Sequence, residues 1–414
     1  MKASILTIGD ELLLGHVLDT NAHYLSNALK NAGFDVVLRL TLKDTYNELM
    51  SGIVYAESQS DLILMTGGLG PTNDDITKQV LADYFSCSLV ENADALKMIS
   101  DLLQRKGVKL TANNREQAMI PEAAKVLPNT IGTASGMWFS TSKIDLISMP
   151  GVPFEMKALM SEQVLPILSK RNPMSVVTKF VLTQGLPESI LAEKIESWER
   201  QLSTGISLAY LPTPGYIKLR LTAKGDKQQQ LKNIVNREVA KLYSYIPEYI
   251  LGEDEVTLEA LLHKILIDRN NTLCTAESCT GGTIASKLLH IPGSSAFFEG
   301  AFVTYSNASK ETLLGVNARE IRRFGAVSQE VVEQMARGAR ERLSTDYAIA
   351  TSGVAGPSGG TEEKPVGTVW IAWAGKNKVI SKRFLFSDER DVNIARSTNV
   401  AVGQLIKLIK AGEI

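Results

Sequence analysis

Leu62-Ile63-Leu64-Met65-Thr66-Gly67-Gly68-Leu69-Gly70-Pro71-Thr72-Asn73-Asp74-Asp75 is an apolar run that gives way to glycines and then to carboxylates. Four large apolar side chains in a row, stopped by a glycine loop, suit a strand buried on both faces inside a parallel sheet. Residues 76–85, behind the loop, carry a helical pattern. The unit reads strand, loop, helix, and its neighbours repeat it. Residues 4–8 form another apolar strand, and residues 21–31 an amphipathic helix with Ala22, Leu25, Ala28 and Leu29 on one face, ended by Gly33. Residues 34–40 read as a strand and 49–57 as a helix. Strands separated by helices of this length predict a parallel sheet with helices on both faces.

The alternation changes after residue 170. Residues 176–182, 206–210 and 217–222 read as strands, the last alternating as Ile217, Leu219 and Leu221. Residues 187–198 form a helix with Ile190, Leu191, Ile195 and Trp198 inward, and a polar helix runs to about residue 245. This order fits a small α+β module. It has no glycine-x-x-glycine clamp of the kind that holds RNA backbones, so it reads as a spacer or dimerisation unit. Gly252-Glu253-Asp254-Glu255 marks a boundary, after which strands at 272–276, 297–304, 348–351 and 366–374 alternate with helices up to residue 410. The expected fold class is α/β: two parallel-sheet domains, residues 1–170 and 253–414, flanking an α+β module at 171–252.

At about 150 residues per domain, 414 residues suit such a division. Hydrophobic residues make up 44% and charged residues 21%, a globular composition. Lys plus Arg number 44 against 45 Asp plus Glu, a net charge of −1, so direct nucleic-acid binding is not expected. No apolar run approaches the ~20 residues of a membrane span, and Met1-Lys2 leads straight into a strand rather than a signal-peptide core. Cys87, Cys274 and Cys279 form neither a disulfide framework nor a zinc-finger spacing. A cytoplasmic protein without a membrane partner is expected.

Open α/β sheets bind ligands beyond the carboxyl ends of their strands. In the first domain those ends carry Gly9-Asp10-Glu11 and the 66–72 loop. Gly67, Gly68 and Gly70 let main-chain N–H groups approach a phosphate, helped by the following helix N-terminus. Carboxylates beside a phosphate loop commonly hold a divalent cation, which makes Asp10, Asp74 and Asp75 the metal candidates. The alternative is a glycine turn with an Asp N-cap; the Asp74-Asp75 pair tips the balance towards a metal, since a cap needs one carboxylate.

In the last domain three strand-end loops are rich in Gly, Ser and Thr: Glu277-Ser278-Cys279-Thr280-Gly281-Gly282, Gly293-Ser294-Ser295, and Ser352-Gly353-Val354-Ala355-Gly356. Together they predict a polar pocket for an anionic, hydroxylated ligand. None of the four histidines, His16, His23, His263 and His290, lies in these loops, so a histidine-based triad is not expected, and a lysine can replace it as base if burial and nearby donors lower its pKa. Lys310 is the nearest lysine, and Ser278 the most plausible nucleophile. Cys279 is its rival, because a helix N-terminus also favours a thiolate. The plainer alternative has Ser278 and Thr280 capping a helix and Lys310 on the surface.

Ala276-Glu277-Ser278-Cys279-Thr280-Gly281-Gly282, Phe302-Val303-Thr304-Tyr305-Ser306-Asn307, Gly325-Ala326-Val327-Ser328 and Ser352-Gly353-Val354-Ala355-Gly356-Pro357, through Lys364-Pro365-Val366-Gly367-Thr368-Val369, closely resemble the CinA C-terminal domain family. Gly9-Asp10-Glu11-Leu12-Leu13-Leu14-Gly15, residues 66–77 and Met149-Pro150-Gly151-Val152-Pro153 resemble the molybdopterin-binding-like domain joined to it in full-length CinA (competence/damage-inducible) proteins. The resemblance spans nearly the whole chain and makes the middle module KH-like. It implies a C-terminal amidohydrolase converting nicotinamide mononucleotide to nicotinate mononucleotide and ammonia, with no cofactor. It also implies an N-terminal, metal-dependent ADP-ribose pyrophosphatase. Ser278 would be nucleophile and Lys310 base, with Tyr305 and Asn307 nearby; Ser294, Ser295 and the loop from Ser352 to Gly356 would hold the phosphate and ribose. N–H groups at Thr280, Gly281 and Gly282 would then receive the oxyanion. Two other classes remain: an N-terminal half that only binds pterin, and a competence or DNA-damage protein acting through protein contacts. Small nucleotides are the expected partners, and a homodimer the expected assembly.

Overall fold

The computed structural model of the chain describes every residue except Pro71, Asn73, Asp74, Pro173 and Val256. It divides into two compact units, one of residues 1–177 with 224–232, the other of residues 178–223 with 233–414.

The first unit is built on strands β1 (Lys2–Ile8), β2 (Asp35–Leu42), β3 (Leu62–Thr66), β4 (Leu89–Glu91), β5 (Met119–Pro121), β6 (Lys125–Leu127), β7 (Gly136–Ser140) and β8 (Asp145–Met149). Six of them form a sheet in the order β2-β1-β3-β8-β7-β6, and β4 pairs with β5 separately. β1 runs parallel to β2 and β3, and β3 parallel to β8. β3 is buried along its whole length and β1 almost so, because helices cover both faces as the unbroken apolar runs require. The sheet departs from the all-parallel expectation at one side, where β7 is antiparallel to β8 and β6 to β7. Short chain reversals through Thr141–Ile144 allow that pairing without a crossover helix. One core layer packs Leu25, Leu29, Phe34 and Met156 on one face; the other packs Leu49, Ile53, Val80 and Phe139. The helix Thr20–Asn31 starts where the Asp19 carboxylate accepts the Ala22 N–H at 2.8 Å.

The second unit contains two sheets. Strands β9 (Ser175–Thr183), β10 (Ile206–Thr213), β11 (Tyr216–Gly225) and β12 (Ile250–Glu253) are ordered β10-β11-β9-β12. Strands β13 (Leu273–Glu277), β14 (Phe298–Val303), β15 (Tyr347–Gly353), β16 (Thr368–Ala374) and β17 (Val379–Leu385) are ordered β14-β13-β15-β16-β17. β13 is parallel to both neighbours, while β16 and β17 add antiparallel hairpin partners. Buried along its length, β13 runs at its carboxyl end into the Ser278 turn, beside the loop that follows β15.

The middle module is not a detached spacer. Leu182, Tyr216 and Leu251 belong to the same buried cluster as Leu258, Leu405 and Ile409. The long helix Arg390–Ala411 is stitched to it by polar contacts: Gln184 Nε2 donates to the Asn399 carbonyl at 3.1 Å, and Asn399 Nδ2 to the Pro214 carbonyl at 2.7 Å. Lys407 Nζ reaches the carbonyls of Gln184 and Glu248, both at 3.1 Å. A sequence pattern sees a helix's apolar face but not which neighbour covers it. Among the described residues no helix is long and apolar enough to cross a membrane.

Candidate functional site

β13 ends at Glu277, and the chain then turns so that Ser278 N–H donates to the Thr351 carbonyl of β15 at 3.0 Å. The turn holds Ser278, 8% exposed, on a cleft of about 250 Å³. Lys310 comes from the helix Asn307–Leu314, whose N-cap Ser306 accepts the Ser309 N–H at 3.1 Å. Helix and turn meet at Lys310 Nζ, which lies 3.0 Å from Ser278 Oγ, 2.7 Å from the Thr304 carbonyl and 3.2 Å from the Tyr305 carbonyl. Lys310 is only 1% exposed. Burial lowers its amine below the usual lysine range, partly offset by the neighbouring Cys279 sulfur. In the neutral amine two hydrogens can stay on the two carbonyls, which turns the lone pair towards the Ser278 hydroxyl. That is the geometry of a general base.

Glu277 does not face a ligand. It is 0% exposed, and its carboxylate accepts from Thr280 Oγ1 at 2.7 Å, from Gly282 N and Ile284 N at 3.0 Å each, from Ala285 N at 2.9 Å and from Thr275 Oγ1 at 3.2 Å. Thr280 is likewise turned inward, its hydroxyl shared between Glu277 and Thr351 Oγ1. Gly281 N–H closes a turn on the Ser278 carbonyl at 3.1 Å. The expected oxyanion donors therefore shift: Gly281 and Gly282 are engaged, while among the described residues no main-chain oxygen takes the N–H of Cys279 or Thr280. Burial, and then the Glu277 charge, push the Cys279 thiol up to about 12.

Ser352, Gly353 and Gly356 line the cleft, and Tyr305, 69% exposed, stands at its rim. Ser352 Oγ donates to the Ala326 carbonyl at 2.7 Å, tying two lining loops together. Besides Glu277 and Thr280, three more residues expected at the ligand are not brought to it. Ser294 is buried in a short 3-10 turn, where its hydroxyl donates to the carbonyls of Leu288 and Ile291. Ser295 and Asn307 are exposed and outside the cleft lining. Arg390, which the sequence reading missed, enters from the start of the C-terminal helix, its Nη1 donating to the Gly356 carbonyl at 3.0 Å. It is the cleft's second basic side chain beside Lys310. Nothing local signals it, since it lies in an ordinary helix start far along the chain.

In the first unit a larger cleft of about 480 Å³ opens beyond the ends of β1 and β3. Gly67, at φ +116°, is required there: a Cβ would lie 2.4 Å from the Ile8 carbonyl oxygen. Gly67, Gly68 and Gly70 all line this cleft, with Asn21, Gln117 and Glu155 across from them. Asn21 Nδ2 bonds the Gly151 carbonyl at 2.7 Å and Thr66 Oγ1 at 3.2 Å. The proposed metal trio does not assemble from its described members. Asp10 is exposed at the start of the short helix Asp10–Leu13 and does not line the cleft, whereas Glu11 does. Asp75 does line it but accepts from the N–H and hydroxyl of Thr72, the N–H at 2.9 Å. Asp74 lies outside the described residues. Among the described residues no group of three His, Cys, Asp or Glu could hold a metal ion. Lys78, another residue the sequence reading passed over, donates to the Gln117 carbonyl at 2.7 Å, and burial lowers its amine to about 8.

Comparison with known proteins covers the chain in three segments. Residues 255–409 match the CinA C-terminal domain family, residues 178–252 the damage-inducible protein CinA KH domain, and residues 4–170 a family described as "Probable molybdopterin binding domain". A CinA-like protein of Flavobacterium psychrophilum is 40% identical over 412 residues, 99% of each chain. One from Cytophaga hutchinsonii is 41% identical over 98% of this chain and 97% of its own. Another, from Chloroherpeton thalassium, is 39% identical over 99% of this chain and 100% of its own.

Proposed function

The chain belongs to the CinA family, and from that footing we propose that its C-terminal cleft hydrolyses the amide of nicotinamide mononucleotide to nicotinate mononucleotide and ammonia. The carrying observation is the 3.0 Å approach of a buried lysine amine to the Ser278 hydroxyl. Ser278 Oγ gives its proton to neutral Lys310 and attacks the amide carbon. The carbonyl oxygen becomes an oxyanion, for which the N–H of Cys279, a cleft-lining residue whose N–H no main-chain oxygen takes among the described residues, is the candidate donor. Lys310 returns the proton to the leaving nitrogen, so ammonia departs and an acyl-serine remains. Water then loses a proton to Lys310 and attacks the ester, Ser278 recovers its hydrogen, and the carboxylate product leaves. Arg390 supplies the positive charge that suits a substrate phosphate, and the Tyr305 ring at the rim offers a face to the pyridine.

Ammonia release from nicotinamide mononucleotide by the full chain tests this. Ser278→Ala and Lys310→Ala should each lose at least ~100-fold, the scale of removing a nucleophile or a base. A Ser278→Ala protein as active as wild type would remove the assignment.

For the N-terminal cleft the reading is hydrolysis of ADP-ribose to AMP and ribose 5-phosphate, supported by the Gly67–Gly70 loop at the strand ends. The described carboxylates do not by themselves fit a divalent ion, so no step is routed through one. AMP release that appears with added divalent cation and vanishes with chelator would support catalysis with a metal. Pterin binding without turnover would make this half a binding module instead.

A further inference from the structure

A carboxylate that is fully buried and accepts five hydrogen bonds from its own strand, loop and helix is an unusual thing to place immediately before a nucleophile. A buried charge is tolerated only when it is fully hydrogen-bonded, and Glu277 meets that condition with Thr275, Thr280, Gly282, Ile284 and Ala285. Three of those donors are main-chain N–H groups at the start of the helix Thr283–Leu289, groups that otherwise lack intrahelical partners. We propose that Glu277 is the positioning residue of the amidase pair: its carboxylate ties the helix start to the end of β13 and fixes the Ser278 turn against Lys310. This rests on the reading of Ser278 and Lys310 as the reacting pair.

The geometry accounts for two choices at once. An uncapped helix start beside the cleft would draw a substrate anion to itself and would favour a thiolate at Cys279. With Glu277 in place those N–H groups are taken, and an anion in the cleft meets Arg390 instead. Four groups face Cys279: the Glu277 carboxylate, the Lys310 amine, the Thr351 hydroxyl and its own N–H. Of these only Glu277 opposes ionisation, acting in the same direction as burial. The serine is thereby kept as the nucleophile although a cysteine stands next to it.

The test uses the full chain and a small fluorophosphonate, which labels an activated serine whatever the natural substrate. The labelling rate at Ser278 is read by mass spectrometry, beside kcat and KM for nicotinamide mononucleotide. Glu277→Gln keeps the shape but removes the charge and two lone pairs. Its labelling rate and kcat should fall at least about 30-fold, with KM within about threefold, as expected when a nucleophile loses its alignment rather than its substrate contacts. Thr280→Val removes one of the five donors and leaves the carboxylate; it should slow labelling by about fivefold, and it serves if Glu277→Gln does not fold. Labelling within twofold of wild type in either variant would overturn the proposal. So would a raised KM with unchanged kcat, which would make Glu277 a substrate contact. Wild-type labelling without ammonia release would remove the amidase reading yet leave the comparison of labelling rates decisive for Glu277; a wild-type serine that does not label removes both.

Discussion

Lys310 Nζ touches two carbonyl oxygens and one hydroxyl, and the base role proposed for it depends on its proton count. The free-enzyme base must be neutral. Burial lowers the Lys310 pKa, so the neutral fraction at a given pH exceeds that of a surface lysine. Activity should therefore rise with pH through the lowered Lys310 pKa and fall below it, measured as kcat/KM for ammonia release. Lys310→Arg keeps the charge but never deprotonates in this range; it should be as inactive as Lys310→Ala. Cys279→Ala should keep activity within about threefold, because its thiol stays protonated near neutral pH with a value of about 12. Ser278 and Lys310 were legible as a pair from the glycine-rich strand end and the missing histidines. Glu277 and Ser294 were not legible as internal partners, because the residue types that bind an anion or an N–H are the same ones that cap a turn.

The helix Asn307–Leu314 delivers Lys310, and its far end rests on a glycine. A Cβ at Gly338, inside the helix Gln329–Leu343, would lie 2.0 Å from the Leu314 carbonyl oxygen. Gly338→Ala must push the two helices apart, at a cost of about 1–3 kcal/mol for such overpacking. The shift also moves Lys310 relative to Ser278, and a displacement of that order costs about tenfold or more in kcat. Thermal unfolding and turnover on the same preparation check both; an unchanged kcat would mean the lysine helix is held elsewhere. Most elements of this kind were readable from apolar periodicity, including β1, β3, β13 and the helix Thr20–Asn31. The three-residue strand β6 and the hairpin strand β17 were not, since so short a run, or seven residues of mixed intermediate and exposed burial, leaves no periodic signature.

The C-terminal helix Arg390–Ala411 joins both ends of the second unit's chemistry: Arg390 lines the cleft at its start, and Asn399, Lys407 and Lys410 bond the middle module further along. Removing residues 1–254 would strip Leu182, Tyr216 and Leu251 from the shared cluster. Each buried side chain of this size is worth roughly 1.5–3 kcal/mol, so the fragment 255–414 should melt lower than the second unit in the full chain. Adding back residues 178–254 should restore the difference; equal melting temperatures would show that the interface carries no stability.

Sequence by itself determined what is local. Runs of apolar residues fixed which segments become buried strands, glycines fixed where the chain turns, and the absence of histidine near the loops pointed to a lysine as the candidate base. Only the tertiary structure decided which polar groups face the cleft and which face each other. A hydrogen bond is set by distance and angle between residues that the fold brings together, as with Glu277 and Ala285, Arg390 and Gly356, or Lys310 and Ser278, and linear spacing carries no record of those meetings.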